Sequence, residues 1–522
     1  VEIVIAGFRV PIAVEDLSRF AAADDARGDL KAYLAFLSGP EREQLRRTLT
    51  EPLAIEPSQL RLIVQNSVGQ QLLAQLGTII RTANDENGGS ALGNALVVTS
   101  HTGQGISPLG ILQAFPSPTL RLNIDQALAL SQEVRRLFQE QEKFLKQLQE
   151  RQNGLEKASA PTADLSRRGP YTWKRTSLSW LDAKRDRPVP VDLLLPSKPG
   201  VSPLVLFSHG FASNRRDLDY LAEHLASHGY AVALVEHIGS NSERFQGLLT
   251  GLASPPLARE AIDRPLDLSF VLDQLTRDAS LARHLNLEAV AVLGHSYGGY
   301  TALASAGAQL DGLGLQRFCR DSLQRFISLN LSMLLQCQVA EVTPLDQPLG
   351  DRRIRAVVAL NPITSRLFGQ AGLRQLRVPT LLVGSSADLV TPLSDEQLQP
   401  FTWLRQPNRY LAILDRGSHF SALQGGNGPA VFNLPPSFVG PDQRIAHRYL
   451  RVLVLAFLES HLRQQAEAEV YLRSNYAKLL SQAAMPLLLV RDLKPTDIAQ
   501  VVVGDRRAGT LTLRSTQQGT PP

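Results

Sequence analysis

The strongest chemical signal in the chain is a serine with glycine two residues away on either side, Gly294-His295-Ser296-Tyr297-Gly298. An apolar β-branched run at 290–293 precedes it and a small-residue helical stretch at 299–306 follows it, the strand, turn, helix setting in which G-x-S-x-G presents a nucleophile. The spacing has a steric cause: a serine at a sharp, strained turn leaves no room for side chains at the two flanking positions, so Gly294 and Gly298 stand there. A serine hydroxyl attacks well only when a base takes its proton, and the base belongs on a loop after a later strand. Among ten histidines, His419 in Asp415-Arg416-Gly417-Ser418-His419-Phe420 is best placed, just after the apolar run 410–414. His447 and His461 fall on an amphipathic helix, 443–461, and read as surface or packing residues. His224 and His228 have the i, i+4 spacing of a metal pair but lack a third ligand.

The base in turn needs an acid to fix its tautomer and stabilise the imidazolium. The run 356–360 ends in Asn361-Pro362-Ile363-Thr364, with no carboxylate, whereas 380–383 ends in Gly384-Ser385-Ser386-Ala387-Asp388. Asp388 is therefore the first choice, and Asp415, only four residues before His419, the second. A tetrahedral intermediate requires two backbone donors. These are assigned to the N–H of Tyr297, after the nucleophile, and of Phe211, in the loop that follows Val205-Leu206-Phe207-Ser208-His209-Gly210. His209, beside Gly210, is expected to brace that loop by hydrogen bonding.

Positioning these residues is the task of the elements around them. From Tyr171 onward, short apolar runs at 201–207, 230–235, 288–293, 355–360, 380–383 and 410–414 alternate with helical stretches, the signature of a mostly parallel central sheet with helices on both faces. Each run ends in a Gly, Ser, His, Asn or Asp cluster, where open α/β sheets bind ligands. The order Ser296, Asp388, His419 is that of an α/β-hydrolase. Up to residue 153 the pattern is helical, with apolar positions at helical spacing in 60–80 and at Val134, Leu137, Phe138, Leu145 and Leu148. The expected organisation is a helical domain at 1–153, a linker at 154–170, the hydrolase domain at 171–465 and a C-terminal extension at 466–522. An insertion at about 307–351 reads as a helical lid over the site or as added scaffold. It holds both cysteines, Cys319 and Cys337; a bridge between them would contribute about 3 kcal/mol, and two buried thiols are the alternative.

Leu206-Phe207-Ser208-His209-Gly210, Leu225-Ala226-Ser227-His228-Gly229-Tyr230, Val235-Glu236-His237 and Gly294-His295-Ser296-Tyr297-Gly298-Gly299 together resemble the platelet-activating-factor acetylhydrolase and predicted dienelactone-hydrolase branch of the α/β-hydrolases. Arg264-Pro265 with Asp267 and Phe270-Val271-Leu272-Asp273 fits bacterial members, over roughly 171–460. The first domain, with Pro118-Thr119-Leu120-Arg121-Leu122, and the tail around Tyr471-Leu472-Arg473-Ser474-Asn475-Tyr476 resemble cyanobacterial α/β-hydrolases that carry such a domain and commonly begin with an export leader. The resemblance implies hydrolysis of carboxylic esters without a cofactor. Dienelactone hydrolases proper use a cysteine nucleophile, and here Ser296 stands in its place.

The rest of the chain narrows the classes. With 522 residues, 43% hydrophobic and 20% charged, this is a chain that folds by burial into more than one domain. Its 54 Lys+Arg and 49 Asp+Glu are interspersed, so the formal charge of +5 leaves no concentrated footprint for nucleic acid. No apolar stretch approaches the ~20 residues of a spanning helix, although contact with a membrane surface fits a lipid ester substrate. A first residue that is Val rather than Met agrees with export after leader removal, with a cytoplasmic protein as the alternative. The expected activity is that of a serine esterase, lipase-like, acting on a small-molecule or lipid ester. Acyl transfer or thioester cleavage by the same three residues is the first rival, and a binding protein with a vestigial site the second.

Overall fold

The computed structural model describes residues 1–5, 8–51, 60, 64, 70, 73–74, 76–102, 106–156, 163–250, 252–253, 258–322, 330–342, 344–345, 347–425 and 440–501. Nine strands form the large sheet: β5 (Trp173–Asp182), β6 (Arg187–Pro196), β7 (Ser202–Ser208), β8 (Ala231–Val235), β9 (Leu285–His295), β10 (Ile354–Leu360), β11 (Thr380–Ser385), β12 (Arg409–Leu414) and β13 (Leu487–Val490). For this sheet the labels follow four strands of a smaller one, β1 (Glu2–Ile5), β2 (Phe8–Pro11), β3 (Ile80–Arg81) and β4 (Arg121–Asn123).

The large sheet runs β13-β12-β11-β10-β9-β7-β8-β6-β5, parallel from β8 to β12 and antiparallel at both ends. Alternation along each central strand splits its side chains between two cores. Leu204, Leu206, Val290, Val292, Val357 and Ala359 face one, and Val205, Phe207, Ala291, Leu293, Val358 and Leu360 the other. Both faces are covered, the second by the helix Gln443–His461, whose Leu450, Leu453 and Phe457 are fully buried. Each such side chain contributes roughly 1.5–3 kcal/mol of burial. The strands therefore end together, and Ser208, His295, Leu360, Ser385 and Leu414 bring their following loops to one edge.

The first unit is mainly helical and adds to that expectation a small sheet that the sequence did not reveal. Helices Val14–Ala23, Gly28–Leu34 and Gly39–Thr50 pack around Leu17, Phe20, Leu30, Leu34 and Leu49, but β1–β4 form a sheet in the order β2-β1-β4-β3. Strands this short carry too few residues for a period of two to register, and their pairing is long-range: Glu2 lies opposite Arg121 and pairs with it at 2.7 Å. Most of the helical stretch expected at 60–80 lies outside the described residues, as do the side chains of Val134 and Leu137; Ile80 itself is in β3.

The long helix Ile124–Asn153 joins the two units. Its Phe144, Leu145 and Leu148 enter the larger core, and Gln152 donates to the Leu487 carbonyl (2.8 Å) and accepts from the Leu489 N–H (3.2 Å). That side chain caps the free edge of β13, which the expected C-terminal extension contributes to the sheet. In the insertion, Cys319 on the helix Gly312–Ser322 is bridged to Cys337 on the helix Ser332–Val339. The described part of the insertion is tied to the scaffold, with Leu315, Val339 and Leu345 in the larger core and the Ser332 N–H on the Val390 carbonyl. Residues 323–329 of the helical stretch expected there, 157–162 of the linker and 502–522 of the tail lie outside the described residues.

Candidate active site

Ser296 sits between β9 and the helix Tyr297–Ser305 with φ 56° and ψ −117°, a conformation that costs a non-glycine residue about 1–3 kcal/mol. Neighbours hold it there: its N–H donates to the Leu360 carbonyl (2.8 Å), and its carbonyl accepts from Tyr300 (3.1 Å) and Ile363 (3.3 Å). The glycines answer to space. A Cβ at Gly294 would strike the Gly298 carbonyl, and one at Gly298 the Ser208 carbonyl. Ser296 is 6% exposed.

His419 follows β12 and Asp388 follows β11, and these loops bring the two together: His419 Nδ1–H donates to Asp388 Oδ2 at 2.7 Å. The His419 carbonyl accepts from His295 Nε2 at 2.9 Å, which ties the loop of the candidate base to the residue before Ser296. Burial pushes His295 down to about 3, and its proximity to His419 adds to this, so the His295 ring is neutral. Burial alone would raise the Asp388 carboxyl, but His419 beside it and hydrogen bonds from His419, Asn361 and Thr391 outweigh that and hold it below the ordinary value. The donors are Asn361 Nδ2 (2.5 Å) and Thr391 Oγ1 (2.8 Å) to Oδ2, and the N–H groups of Val390 (2.8 Å) and Thr391 (2.7 Å) to Oδ1. Asp415, the second choice for the acid, accepts instead from Ser386 Oγ (2.7 Å), two residues before Asp388.

The loop after β7 lies against the serine. A Cβ at Gly210 would stand 3.4 Å from the Ser296 Cβ, so the loop packs closely on the serine. His209 braces this loop. Its Nε2 accepts from the His237 N–H (2.9 Å), so its Nδ1 carries the hydrogen and donates to the Gly210 carbonyl (2.7 Å). Burial, with Arg264 nearby, pushes His209 and His237 well below the ordinary histidine value, and both are neutral.

Behind the loop is a buried ionic cluster that sequence reasoning did not assemble. Arg187 on β6 pairs with Glu260 (2.7 Å) and Asp267 (2.9 Å), both on the helix Glu260–Arg277, and Asp267 also accepts from His237 Nδ1 (2.9 Å). A second unpredicted centre is Glu396, fully buried, whose carboxylate accepts from Asn330 (2.6 Å), Gln336 (2.8 Å), Ser365 Oγ (2.6 Å) and the Thr364 N–H (2.6 Å). It fastens the insertion to the loop after β10. The sequence hinted at some of these residues, since His237 and Asp267 stand in the motifs of the resemblance, but their partners come from distant segments.

The remaining histidines are placed as packing groups. His447 stacks on Tyr220 with ring centres 3.8 Å apart, and His461 contacts the Tyr410 hydroxyl at 3.0 Å. The His224 and His228 rings are 4.7 Å apart, and among the described residues no group of three or more potential ligands gathers. No helix among them is long and apolar enough to cross a membrane.

Two family models match this chain. One, described as an alpha/beta hydrolase of unknown function (DUF1400), matches residues 1–123, and one described as chlorophyllase matches 162–316. The chain is 29% identical over 139 residues to chlorophyllase-1, chloroplastic, from Citrus unshiu, covering 26% of this chain and 39% of that protein. The same figures hold for chlorophyllase-1, chloroplastic, from Citrus sinensis. The chain thus spans about two fifths of the length of the curated relatives it matches. With the large, mostly parallel sheet, these similarities give the chain an α/β-hydrolase fold. They do not confirm the acetylhydrolase and dienelactone-hydrolase branch that the motifs resembled. The chlorophyllase match holds His209, Arg264 and Ser296; Asp388 and His419 lie beyond it.

Proposed function

We propose that the chain is a serine esterase that cleaves carboxylic esters through an acyl-serine intermediate. The observation that carries this is the buried Asp388–His419 pair at 2.7 Å, tethered through His295 to a serine at a strained turn, with the Gly210 loop packed on its Cβ. In this reading His419 Nε2 takes the proton of Ser296 as Oγ attacks the ester carbonyl carbon. The N–H groups of Phe211 and Tyr297 hold the oxyanion; the carbon–oxygen bond to the alcohol breaks, and His419 returns the proton to the departing oxygen. Water, deprotonated by His419, then attacks the acyl-serine, and the acid leaves with Ser296 restored. Asp388 fixes the Nδ1–H tautomer and stabilises the imidazolium. Similarity to chlorophyllases puts chlorophyll, for which those proteins are named, in the substrate panel beside simple esters.

The test is labelling by a fluorophosphonate probe, followed by hydrolysis of p-nitrophenyl esters of increasing acyl length and of chlorophyll. Ser296 should be the labelled residue, and Ser296→Ala should lose label and lower kcat by on the order of 10⁴ or more with the fold intact. Near-normal ester turnover in Ser296→Ala would overturn the mechanism.

A further inference from the structure

Arg264 lies on the helix Glu260–Arg277 and is completely buried. A buried arginine ordinarily sits against a carboxylate. Here the two nearest in sequence, Glu260 and Asp267, are engaged by Arg187, and among the described residues no carboxylate lies within ion-pair distance of Arg264. Its donors go instead to neutral oxygens: Nη2 to the His209 carbonyl and to Ser208 Oγ (3.3 Å), Nη1 to Ser240 Oγ (2.8 Å), and Nε to Thr301 Oγ1 (3.0 Å). Thr301 Oγ1 in turn donates to the Tyr297 carbonyl (2.9 Å), and the guanidinium stands over the Tyr297 ring, 4.7 Å from its centre.

One planar, rigid fork therefore links the two segments that carry the proposed oxyanion donors. On one side it holds the backbone two residues ahead of Phe211, and on the other the ring and, through Thr301, the carbonyl of Tyr297. We infer that Arg264 is a positioning residue for the oxyanion donors, holding the Phe211 and Tyr297 N–H groups in register and supplying an unpaired positive charge behind them. The inference rests on the esterase reading of Ser296. No carboxylate pairs directly with the guanidinium, and Glu260 and Asp267, engaged by Arg187, offset its charge only from a distance, so the negative charge that forms on a carbonyl oxygen at Ser296 meets a preorganised positive group. An arginine suits this better than a lysine, because three directions must be held at once.

The test compares Arg264→Met and Arg264→Lys with the wild type in the full chain. It reads kcat and KM on a p-nitrophenyl ester, and the inhibition constant of an alkyl boronic acid, whose tetrahedral adduct with Ser296 mimics the oxyanion. Loss of donor alignment should lower kcat about 10²-fold in Arg264→Met and weaken the boronate in parallel, with KM within about twofold. Arg264→Lys keeps the charge without the fork and should recover only part of both losses. A role in folding alone would lower melting temperature and active fraction and leave the boronate affinity of the folded enzyme unchanged. Should Arg264→Met fail to fold, Arg264→Lys carries the test alone, with wild-type kcat and boronate affinity overturning the inference. Ester turnover that survives Ser296→Ala sinks the esterase reading. An inert Ser296→Ala beside fully active Arg264 variants sinks this inference and leaves that reading standing.

Discussion

The two flanks of Ser296 bury opposite charges by similar means. On the acid side, Asp388 and Glu396 are held by amides, hydroxyls and backbone N–H groups, and among the described residues the one ion pair to either is that of His419 with Asp388. On the oxyanion side, Arg264 is held by carbonyl and hydroxyl oxygens while its helix neighbours pair with Arg187. Neutral partners fix a charge without cancelling its field, whereas an opposite charge would do both. For the proposed chemistry the signs are in the right places, with a negative charge behind the base that becomes cationic and a positive charge without a direct carboxylate partner behind the oxygen that becomes anionic.

The largest expected effect comes from deleting the negative member. Asp388→Asn keeps the shape but supplies an amide that can donate to His419 Nδ1 and stabilise the wrong tautomer, so kcat should fall by about 10⁴. Asp415→Asn should leave kcat unchanged, because Asp415 meets Ser386 and not His419. Steady-state ester hydrolysis by the two variants settles which loop carries the acid; an active Asp388→Asn breaks the comparison outright.

Next in size is the bridge that closes the insertion on the acid side. Cys319→Ala with Cys337→Ala should lower unfolding free energy by about 3 kcal/mol, the chain-entropy cost of that loop, as read by denaturant melts. Because Asn330, Ser332 and Gln336 still reach Glu396, kcat should change less than twofold. A large fall in kcat would show that the insertion works on the site and not only on stability.

Acid should expose the cost of burying neutral histidines. His224, on the helix Asp219–Ser227, is pushed down to about 3 by burial, with His228 and Arg451 adding to the effect. The unfolded chain, at about 6.5, binds more protons below that pH than the folded chain does. Stability therefore holds above about pH 6.5 and is lost as pH falls toward 3, by about 2 kcal/mol at pH 5 from this residue. His224→Leu should flatten the profile of unfolding free energy, read by denaturant melts, between pH 7 and 5 by that amount. The slope that remains belongs in large part to His209, His237 and His295, which are also buried neutral.

The central strands and the loops after them were legible because buried parallel strands are apolar runs punctuated by Gly, Ser, His or Asp, so the clusters around Ser296, Asp388 and His419 could be found. The hairpin β5–β6 was not: β5 is a half-exposed edge strand, and Pro188 and Pro190 interrupt β6. The 1–4 sheet escaped because Glu2 and Arg121 meet across nearly the whole first unit. Glu396 and the roles of Arg264 and His237, which stood in the motifs without a function, were unreadable for a related reason. A polar residue is recognised as buried only once its partners are known, and those partners come from Ser208, Thr301, Asp267, Asn330 and Ser365, on separate elements.

Asn361 was passed over in the sequence because it is no acid, and it provides the smallest test of the comparison. It follows β10 at φ 43°, a left-handed conformation that asparagine tolerates better than most residues, and its Nδ2 donates to Asp388 Oδ2 at 2.5 Å. Its Oδ1 accepts from Ser385 Oγ at 3.3 Å, which fixes the amide's orientation. Removing one charge-assisted hydrogen bond should let Asp388 drift and lower kcat about tenfold in Asn361→Ala, with KM unchanged. Asn361→Asp is isosteric but replaces the donor with a second carboxylate against Oδ2, and the two can be accommodated only if one takes up a proton. If neutral donors matter because they leave the Asp388 charge intact for His419, Asn361→Asp must be slower than Asn361→Ala. Equal rates in the two variants would mean that Asn361 only fills space, and the acid flank would then owe its charge to Thr391 and the backbone N–H groups alone.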